Sequence, residues 1–177
     1  YEFIKADEFF TENPKRYTIG EVELGVNYVL IISTNAGLWA YNIGDTIQFT
    51  SLKPYRVIVS GRIKHYISAF GEHVIGKEVE SALKEAMEGT DVRVNEFTVA
   101  PQITPTEGLP YHEWFIEFEN QPENLEKFAL KIDAAMRKQN VYYDDLIVGN
   151  VLRTLIISSV PKNGFQEYMK SIGKLGG

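Results

Sequence analysis

Short apolar, β-branched stretches separated by turn residues predict β structure over residues 1–60, in which residues 1–20 are expected to be a segment that packs against another part of the protein. The predicted strands cover residues 28–34, 38–43, 46–50 and 55–59. Asn35-Ala36-Gly37 and Gly44-Asp45 supply two of the turns between them. Short strands with close turns are typical of an antiparallel meander or part of a small barrel.

Helical periodicity begins after residue 61. Val79, Leu83 and Met87 lie four residues apart and predict one face of a helix. The predicted helices cover residues 78–88, 124–139 and 163–173, and the predicted strands cover residues 65–69, 92–100, 111–119 and 152–160. We therefore predict an α+β fold, with a partial antiparallel β subdomain over residues 1–61 and a β-α-β-β-α-β-α sandwich domain over residues 62–177.

Composition narrows the classes of function. The chain has no cysteine, which excludes disulfide scaffolds, thiolate metal centres and cysteine nucleophiles. Its 18 basic and 24 acidic residues give a net charge of −6, so we expect no nucleic-acid partner, because phosphate neutralisation needs clustered Lys and Arg. No run approaches the roughly 18 apolar residues of a spanning helix, and no basic leader opens the chain. We expect a cytoplasmic protein without a membrane partner.

The first stretch that could carry chemistry runs from Gly37 to Asp45. Gly44-Asp45 is an ordinary turn pair and fits a β-hairpin. Asp45 could also be a carboxylate at a strand end that binds a diol or a cation, since a carboxylate can accept hydrogen bonds from two neighbouring hydroxyls. The pattern alone leaves both interpretations open.

The second stretch runs from Gly61 to Glu80. Each residue by itself fits a surface strand, a Gly71 turn and a helix with a solvated charged face. The order is less generic, because Gly61-Arg62 precedes the predicted domain boundary, Lys64 follows two residues later, and the Gly71 turn leads into an acidic helix start.

Together the two stretches resemble the paired motifs of the adenylate-forming superfamily. Tyr41-Asn42-Ile43-Gly44-Asp45 is followed, at the superfamily's spacing, by Gly61-Arg62-Ile63-Lys64, then Gly71, then Glu78-Val79-Glu80. Within the superfamily the chain is most similar to the auxin-responsive promoter family of acyl acid amido synthetases, especially its bacterial relatives. The supporting stretches are residues 1–4, 20–28, 37–39, 68–72 and 162–165.

The resemblance implies a role for each matched residue. Asp45 would hydrogen-bond the ribose hydroxyls of ATP and of the acyl-adenylate, Arg62 would contact the same nucleotide region, and Tyr41 would shape the nucleotide side of the pocket. Lys64 would lie at the hinge, near residues 62–65, about which a mobile C-terminal domain rotates. Gly71 would lie in the loop that this domain presents for acyl transfer.

The family activity implied by the resemblance has two steps. A carboxylic acid and ATP with Mg²⁺ give an acyl-adenylate and pyrophosphate, and an amino acid then displaces AMP to form an amide. The chain starts at Tyr1 and has no phosphate-binding loop, so we expect a piece of a longer enzyme, inactive alone and without a cofactor of its own. Its partner would be the N-terminal large domain of the same parent chain.

Two departures from the family pattern concern positive charge. Ala40 and Asn42 stand where family members often have Arg, so neither supplies a cation here. The resemblance places the family's catalytic lysine just beyond Gly177, and Lys174 is the alternative within the chain.

Other polar residues suit structural roles better than catalysis. His65, His73 and His112 lack the spacing of a metal site, and none is expected. Asp144-Asp145 fits a helix cap or loop. On the 111–119 strand, alternation puts Trp114 on the predicted core face with His112, Ile116 and Phe118.

Two other functions fit the same residues. An acyl-CoA ligase of the superfamily would use coenzyme A instead of an amino acid as acceptor. A stand-alone α+β binding module without catalysis would use only the self-contained part after residue 61.

Overall fold

The computed structural model describes residues 1–65 and 67–174, in which seven strands and four α-helices form. The strands are β1 (Glu2–Lys5), β2 (Asn27–Ile32), β3 (Tyr41–Leu52), β4 (Tyr55–Arg62), β5 (Arg93–Gln102), β6 (Tyr111–Asn120) and β7 (Ile156–Val160). The helices are α1 (Gly76–Met87), α2 (Leu125–Gln139), α3 (Val141–Val148) and α4 (Gly164–Ser171). The chain divides into two units, Tyr1–Val79 and Glu80–Gly177. The predicted α+β class is confirmed, and the boundary predicted at residues 61–62 stays a prediction.

The first unit is built on an antiparallel sheet with the strand order β1-β2-β3-β4. Phe3, Tyr28 and Phe49 pack edge to face on one side of this sheet, with ring centroids 5.3 to 6.1 Å apart. Ile4, Val29 and Ile31 form a second buried cluster. Because side chains alternate along a strand, this short sheet buries residues on both faces.

Strand β4 lies at one edge of this sheet and is more exposed than the other three strands. All residues from Tyr55 to Val59 are exposed, and Val57 and Val59 are 49 % and 66 % exposed. Among the described strands, β4 pairs only with β3. An apolar outer strand therefore lies open to solvent in this chain.

The second unit contains a mixed sheet in which β6 lies between antiparallel β5 and parallel β7. His112, Trp114 and Ile116 are buried on one face of β6, as their alternation predicted. Helix α2 buries Phe128, Ile132 and Met136. The buried Asp133 carboxylate of α2 accepts hydrogen bonds from the Tyr143 hydroxyl at 2.7 Å and from the Leu155 backbone N–H at 3.4 Å.

Three local expectations about secondary structure were wrong. Residues 38–43 and 46–50 do not form two strands, because β3 runs without a break through Gly44-Asp45. The predicted strand at 65–69 is replaced by a single 3-10 turn, Ile63–His65, and one bridge between Ile67 and Val74, while Tyr66 lies outside the described residues. Asp144 and Asp145 lie inside helix α3, not in a cap or loop.

Helix α3 follows α2 after one residue, and that residue caps both helices. The Asn140 backbone N–H donates to the Met136 carbonyl at the end of α2, and the Asn140 side-chain oxygen accepts from the Tyr143 N–H at the start of α3. Arg137 also donates from Nε to Asp144 across the junction. This hydrogen bond is the main cause that raises the pKa of Arg137.

No helix within residues 1–65 and 67–174 combines the length and apolar character needed to cross a bilayer. 

Candidate functional site

Asp45 and Arg62 occupy directly paired positions on β3 and β4. The Arg62 Nε atom lies 3.1 Å from Asp45 Oδ1, and the two side chains are 59 % and 27 % exposed. An ion pair this accessible contributes only about 0–1 kcal/mol to stability. Its two charges therefore remain available to a ligand in the surrounding solvent.

A bulge in β3 sets the position of Asp45. Val29 pairs with Thr46 and Ile31 with Asn42, so that the three residues Ile43–Asp45 stand opposite one residue of β2. Gly44 has a φ of +86°, which a side chain would disfavour, and its N–H donates to Asn42 Oδ1 at 2.8 Å. Bulges of this kind redirect side chains and recur beside active sites. The Gly44-Asp45 pair is thus a bulge inside a strand, not a hairpin turn.

Tyr41 is the first residue of β3 and is 52 % exposed. It follows an exposed segment in which Trp39 is 86 % exposed and Ala40 has a φ of +46°. The Ala40 N–H donates to Ser33 Oγ at 3.0 Å, which ties this segment to the end of β2. Tyr41 and Asp45 accordingly lie on one strand, before and at the end of the bulge.

Lys64 lies in the 3-10 turn that directly follows β4. Its side chain is exposed, whereas the preceding Ile63 is 4 % exposed and belongs to a buried cluster of the first unit. Lys64 therefore lies within a turn, immediately after an anchored residue.

Gly71 lies in a separate loop, residues 67–74. Ile67 and Val74 close its base with two backbone hydrogen bonds of 3.0 and 2.8 Å. Gly71 has a φ of +89°, and a Cβ atom there would meet nothing within 4 Å. The turn therefore needs glycine for its backbone conformation and not for lack of space.

Glu72 was missed by the sequence analysis. Its side chain is fully buried, and its carboxylate accepts hydrogen bonds from the Ala69 N–H at 3.2 Å and the Phe70 N–H at 2.7 Å. A glutamate next to a turn glycine is normally expected to be solvated, so residue type alone did not indicate this burial.

The remaining candidates lie apart from the Asp45–Arg62 pair in the chain. His73 Nδ1 is 3.2 Å from Ser68 Oγ, and His112 packs against the Tyr143 ring at 5.3 Å. Lys174 follows α4, and its N–H donates to the Met169 carbonyl. Within the described part of the chain, no group of three or more His, Asp or Glu residues could hold a metal ion.

Comparison with known protein families matches two ranges of the chain. Residues 1–62 match the GH3 family central domain, and residues 77–177 match the GH3 family C-terminal domain. The indole-3-acetic acid-amido synthetase GH3.3 of Arabidopsis thaliana is 26 % identical over 183 residues, which cover 96 % of this chain and 30 % of that protein.

Solved structures agree on the fold. The GH3.15 acyl acid amido synthetase matches with a TM-score of 0.67 at 18 % identity, over 99 % of this chain and 32 % of that chain. The AtGH3.15 acyl acid amido synthetase in complex with 2,4-DB matches with a TM-score of 0.64 at 17 % identity, again over 99 % and 32 %. The chain thus spans about a third of the length of these relatives.

Proposed function

Because this chain belongs to the GH3 family, as its motifs predicted, we propose that it is part of an ATP-dependent acyl acid–amido synthetase. The parent enzyme would join a carboxylic acid to ATP, with Mg²⁺, to give an acyl-adenylate and pyrophosphate. The amine of an amino acid would then attack the acyl carbon, form the amide bond and release AMP. A cytoplasmic location fits an enzyme that consumes ATP.

The accessible Asp45–Arg62 pair is the observation that supports nucleotide binding most directly. A carboxylate can accept hydrogen bonds from both hydroxyls of a ribose, and a guanidinium has five N–H donors. Arg62 can therefore keep its contact with Asp45 and still donate to a nucleotide oxygen. The exposed ring of Tyr41, on the same strand as Asp45, would line the nucleotide side of this site.

The residues after β4 would serve the second step. In this proposal Lys64 lies at the hinge, near residues 62–65, and the domain that begins at residue 62 rotates after adenylation. The loop with Gly71 then approaches the acyl-adenylate. Conformational exchange of this kind often limits turnover.

The rest of the machinery would come from the parent chain. The chain matches models of a central and a C-terminal domain and covers 30 % of its curated relative, so the acid-binding part would belong to an N-terminal large domain. Accordingly, we do not expect the 177-residue chain to complete the reaction by itself.

The decisive experiment is acid-dependent ATP–pyrophosphate exchange by the full-length parent, screened against a panel of carboxylic acids. We expect exchange with a subset of acids, followed by amide and AMP formation when an amino acid is added. Consumption of the adenylate by coenzyme A would instead identify an acyl-CoA ligase. Absence of exchange with every acid would contradict adenylation and favour a non-catalytic module.

A further inference from the structure

Glu72 is the most deeply buried carboxylate among the described residues. It is 0 % exposed, compared with 6 % for Glu117 and 5 % for Asp133. Glutamate is almost never fully buried without partners, because removing a charge from water is costly. A carboxylate kept in such a place therefore needs strong hydrogen bonds.

Two consecutive backbone amides supply such bonds. Ala69 N–H donates to one oxygen of Glu72 and Phe70 N–H donates to the other, at 3.2 and 2.7 Å. Hydrogen bonds to an ionised acceptor are roughly twice as strong as those between neutral groups. The carboxylate thus fixes the backbone of Ala69 and Phe70, the two residues directly before Gly71.

Both ends of the loop are fixed as well. The paired backbone bonds between Ile67 and Val74 close its base. At its exit, the Ile75 N–H donates to Glu78 Oε2 at 3.1 Å, in the first turn of α1. Between these fixed points Gly71 is exposed at the tip and Glu72 is the one fully buried residue, so its side chain is placed to set the shape of the turn.

We propose that Glu72 is a positioning residue for the acyl-transfer step, which rests on the proposed function of the parent enzyme. Its carboxylate holds the 67–74 loop in one backbone conformation before the domain rotates. The rotated loop then needs no further ordering when it reaches the acyl-adenylate, and a preformed geometry lowers the entropic cost of that step. Adenylation does not use the loop and is independent of Glu72.

The test is Glu72→Gln in the full-length parent. The carboxamide keeps the shape of the side chain but retains one acceptor oxygen, so one of the two amides loses its partner. We expect amide formation in a single turnover to slow about 10- to 100-fold. Pyrophosphate exchange should stay within about twofold of wild type, and hydrogen exchange at Ala69 and Phe70 should speed up while α1 and the strands stay protected.

Glu107→Gln is the matched control, because Glu107 is an exposed glutamate in the loop between β5 and β6. It should leave both half-reactions and the hydrogen exchange of the 67–74 loop unchanged. A merely structural role for Glu72 predicts equal losses in both half-reactions with a lowered melting temperature, and that result would overturn the proposal. Unchanged transfer in Glu72→Gln would overturn it too.

Glu72→Asp provides a second variant if Glu72→Gln does not fold. It keeps the charge but shortens the side chain, and it should show the same selective loss of transfer. If neither variant folds, Glu72 is a folding determinant and the proposal is wrong. If the wild-type parent shows no acid-dependent exchange at all, the proposed function fails first, independently of Glu72.

Discussion

Asp45 and Arg62 form a cross-strand ion pair at the end of β4, with Arg62 Nε 3.1 Å from Asp45 Oδ1. The last residue of the strand is therefore coupled directly to the carboxylate displaced by the β3 bulge. Two residues later the chain reaches Lys64 in the 3-10 turn. The proposed nucleotide site and the proposed hinge are thus neighbours along the backbone. Because Asp45 belongs only to the first and Lys64 only to the second, substitutions of these two residues test the roles separately.

Asp45→Ala in the full-length parent tests nucleotide binding. Loss of the carboxylate removes hydrogen bonds to a charged group, worth about 1.5–3 kcal/mol, so the Kd for ATP should rise about 10- to 150-fold. Calorimetric titration measures this affinity. Asp7→Ala, at an exposed position of the same unit, should leave it unchanged. Unaltered ATP affinity and unaltered pyrophosphate exchange in Asp45→Ala would refute the ribose assignment.

Lys64→Pro in the full-length parent tests the hinge. Proline fixes φ near −65° and restricts the preceding residue, so rotation about this point should be hindered. Amide formation should slow while pyrophosphate exchange is spared. Lys64→Ala, which removes the side chain but keeps backbone freedom, should have the smaller effect on amide formation. Equal loss of both steps in Lys64→Pro would argue against a hinge.

Tyr143→Phe tests the buried network of the second unit. The substitution deletes the hydroxyl that donates to Asp133 at 2.7 Å and leaves that carboxylate with one fewer donor. The free energy of unfolding, measured by chemical denaturation, should fall by about 1.5–3 kcal/mol. Tyr168→Phe, at a position 61 % exposed, should change it by less than about 0.5 kcal/mol. Similar effects from both variants would mean that this hydrogen bond is unimportant for stability.

Asn140→Ala tests the shared cap of α2 and α3. The side chain accepts the Tyr143 N–H at 2.8 Å, so its removal should cost about 0.5–2 kcal/mol of unfolding free energy. Asn124→Ala removes an exposed cap of α2 alone, with a comparable bond to Lys127 N–H at 2.8 Å. In the same denaturation assay, we expect substitution of the buried Asn140 to lower the free energy of unfolding more than substitution of the exposed Asn124. The reverse order would contradict the role of Asn140 at the helix junction.

The buried hydroxyl of Tyr28 should make the fold less stable at alkaline pH. Burial raises the pKa of its hydroxyl above the ordinary value of 10.0, so the folded state retains the proton after the unfolded state has lost it. Stability contributed by Tyr28 is therefore complete below pH 10 and is lost as the pH rises through the folded-state pKa. Tyr28→Phe should weaken the fall in unfolding free energy above pH 10, and Tyr55→Phe, at an exposed position, should not. Identical pH profiles for wild type and Tyr28→Phe would show that ionisation of Tyr28 does not contribute to the alkaline loss of stability.

Hydrophobic periodicity correctly predicted the helices and strands whose buried residues recur at regular spacing. Val79 and Leu83 of α1, and His112, Trp114 and Ile116 of β6, are all buried as their spacing indicated. Helix α3 escaped prediction because Tyr143 is its only fully buried residue, so it carries no regular apolar stripe. Helix α3 begins where Asn140 and Arg137 make specific hydrogen bonds, and a pattern of hydrophobic residues does not indicate such bonds.

The sequence motifs pointed to Asp45 and Arg62 as site residues, which stays a prediction, and they did not indicate the local backbone geometry. Gly44-Asp45 has the local signature of a turn, and only its pairing with β2, more than ten residues earlier, makes it a bulge. Glu72 gave no signal because the donors that satisfy its buried carboxylate are the backbone N–H groups of Ala69 and Phe70, which every residue type carries. The register between strands that are distant in sequence and the positions of backbone N–H donors are set by the fold. Neither follows from residue type.

Strand β4 has a practical consequence for work on this chain. A row of open backbone donors and acceptors beside exposed Val57 and Val59 is a template on which another β-strand can add. Self-association of the isolated chain through this edge would make its apparent stability depend on protein concentration. Dilution series therefore belong with the unfolding measurements, so that a change in assembly is not read as a change in folding.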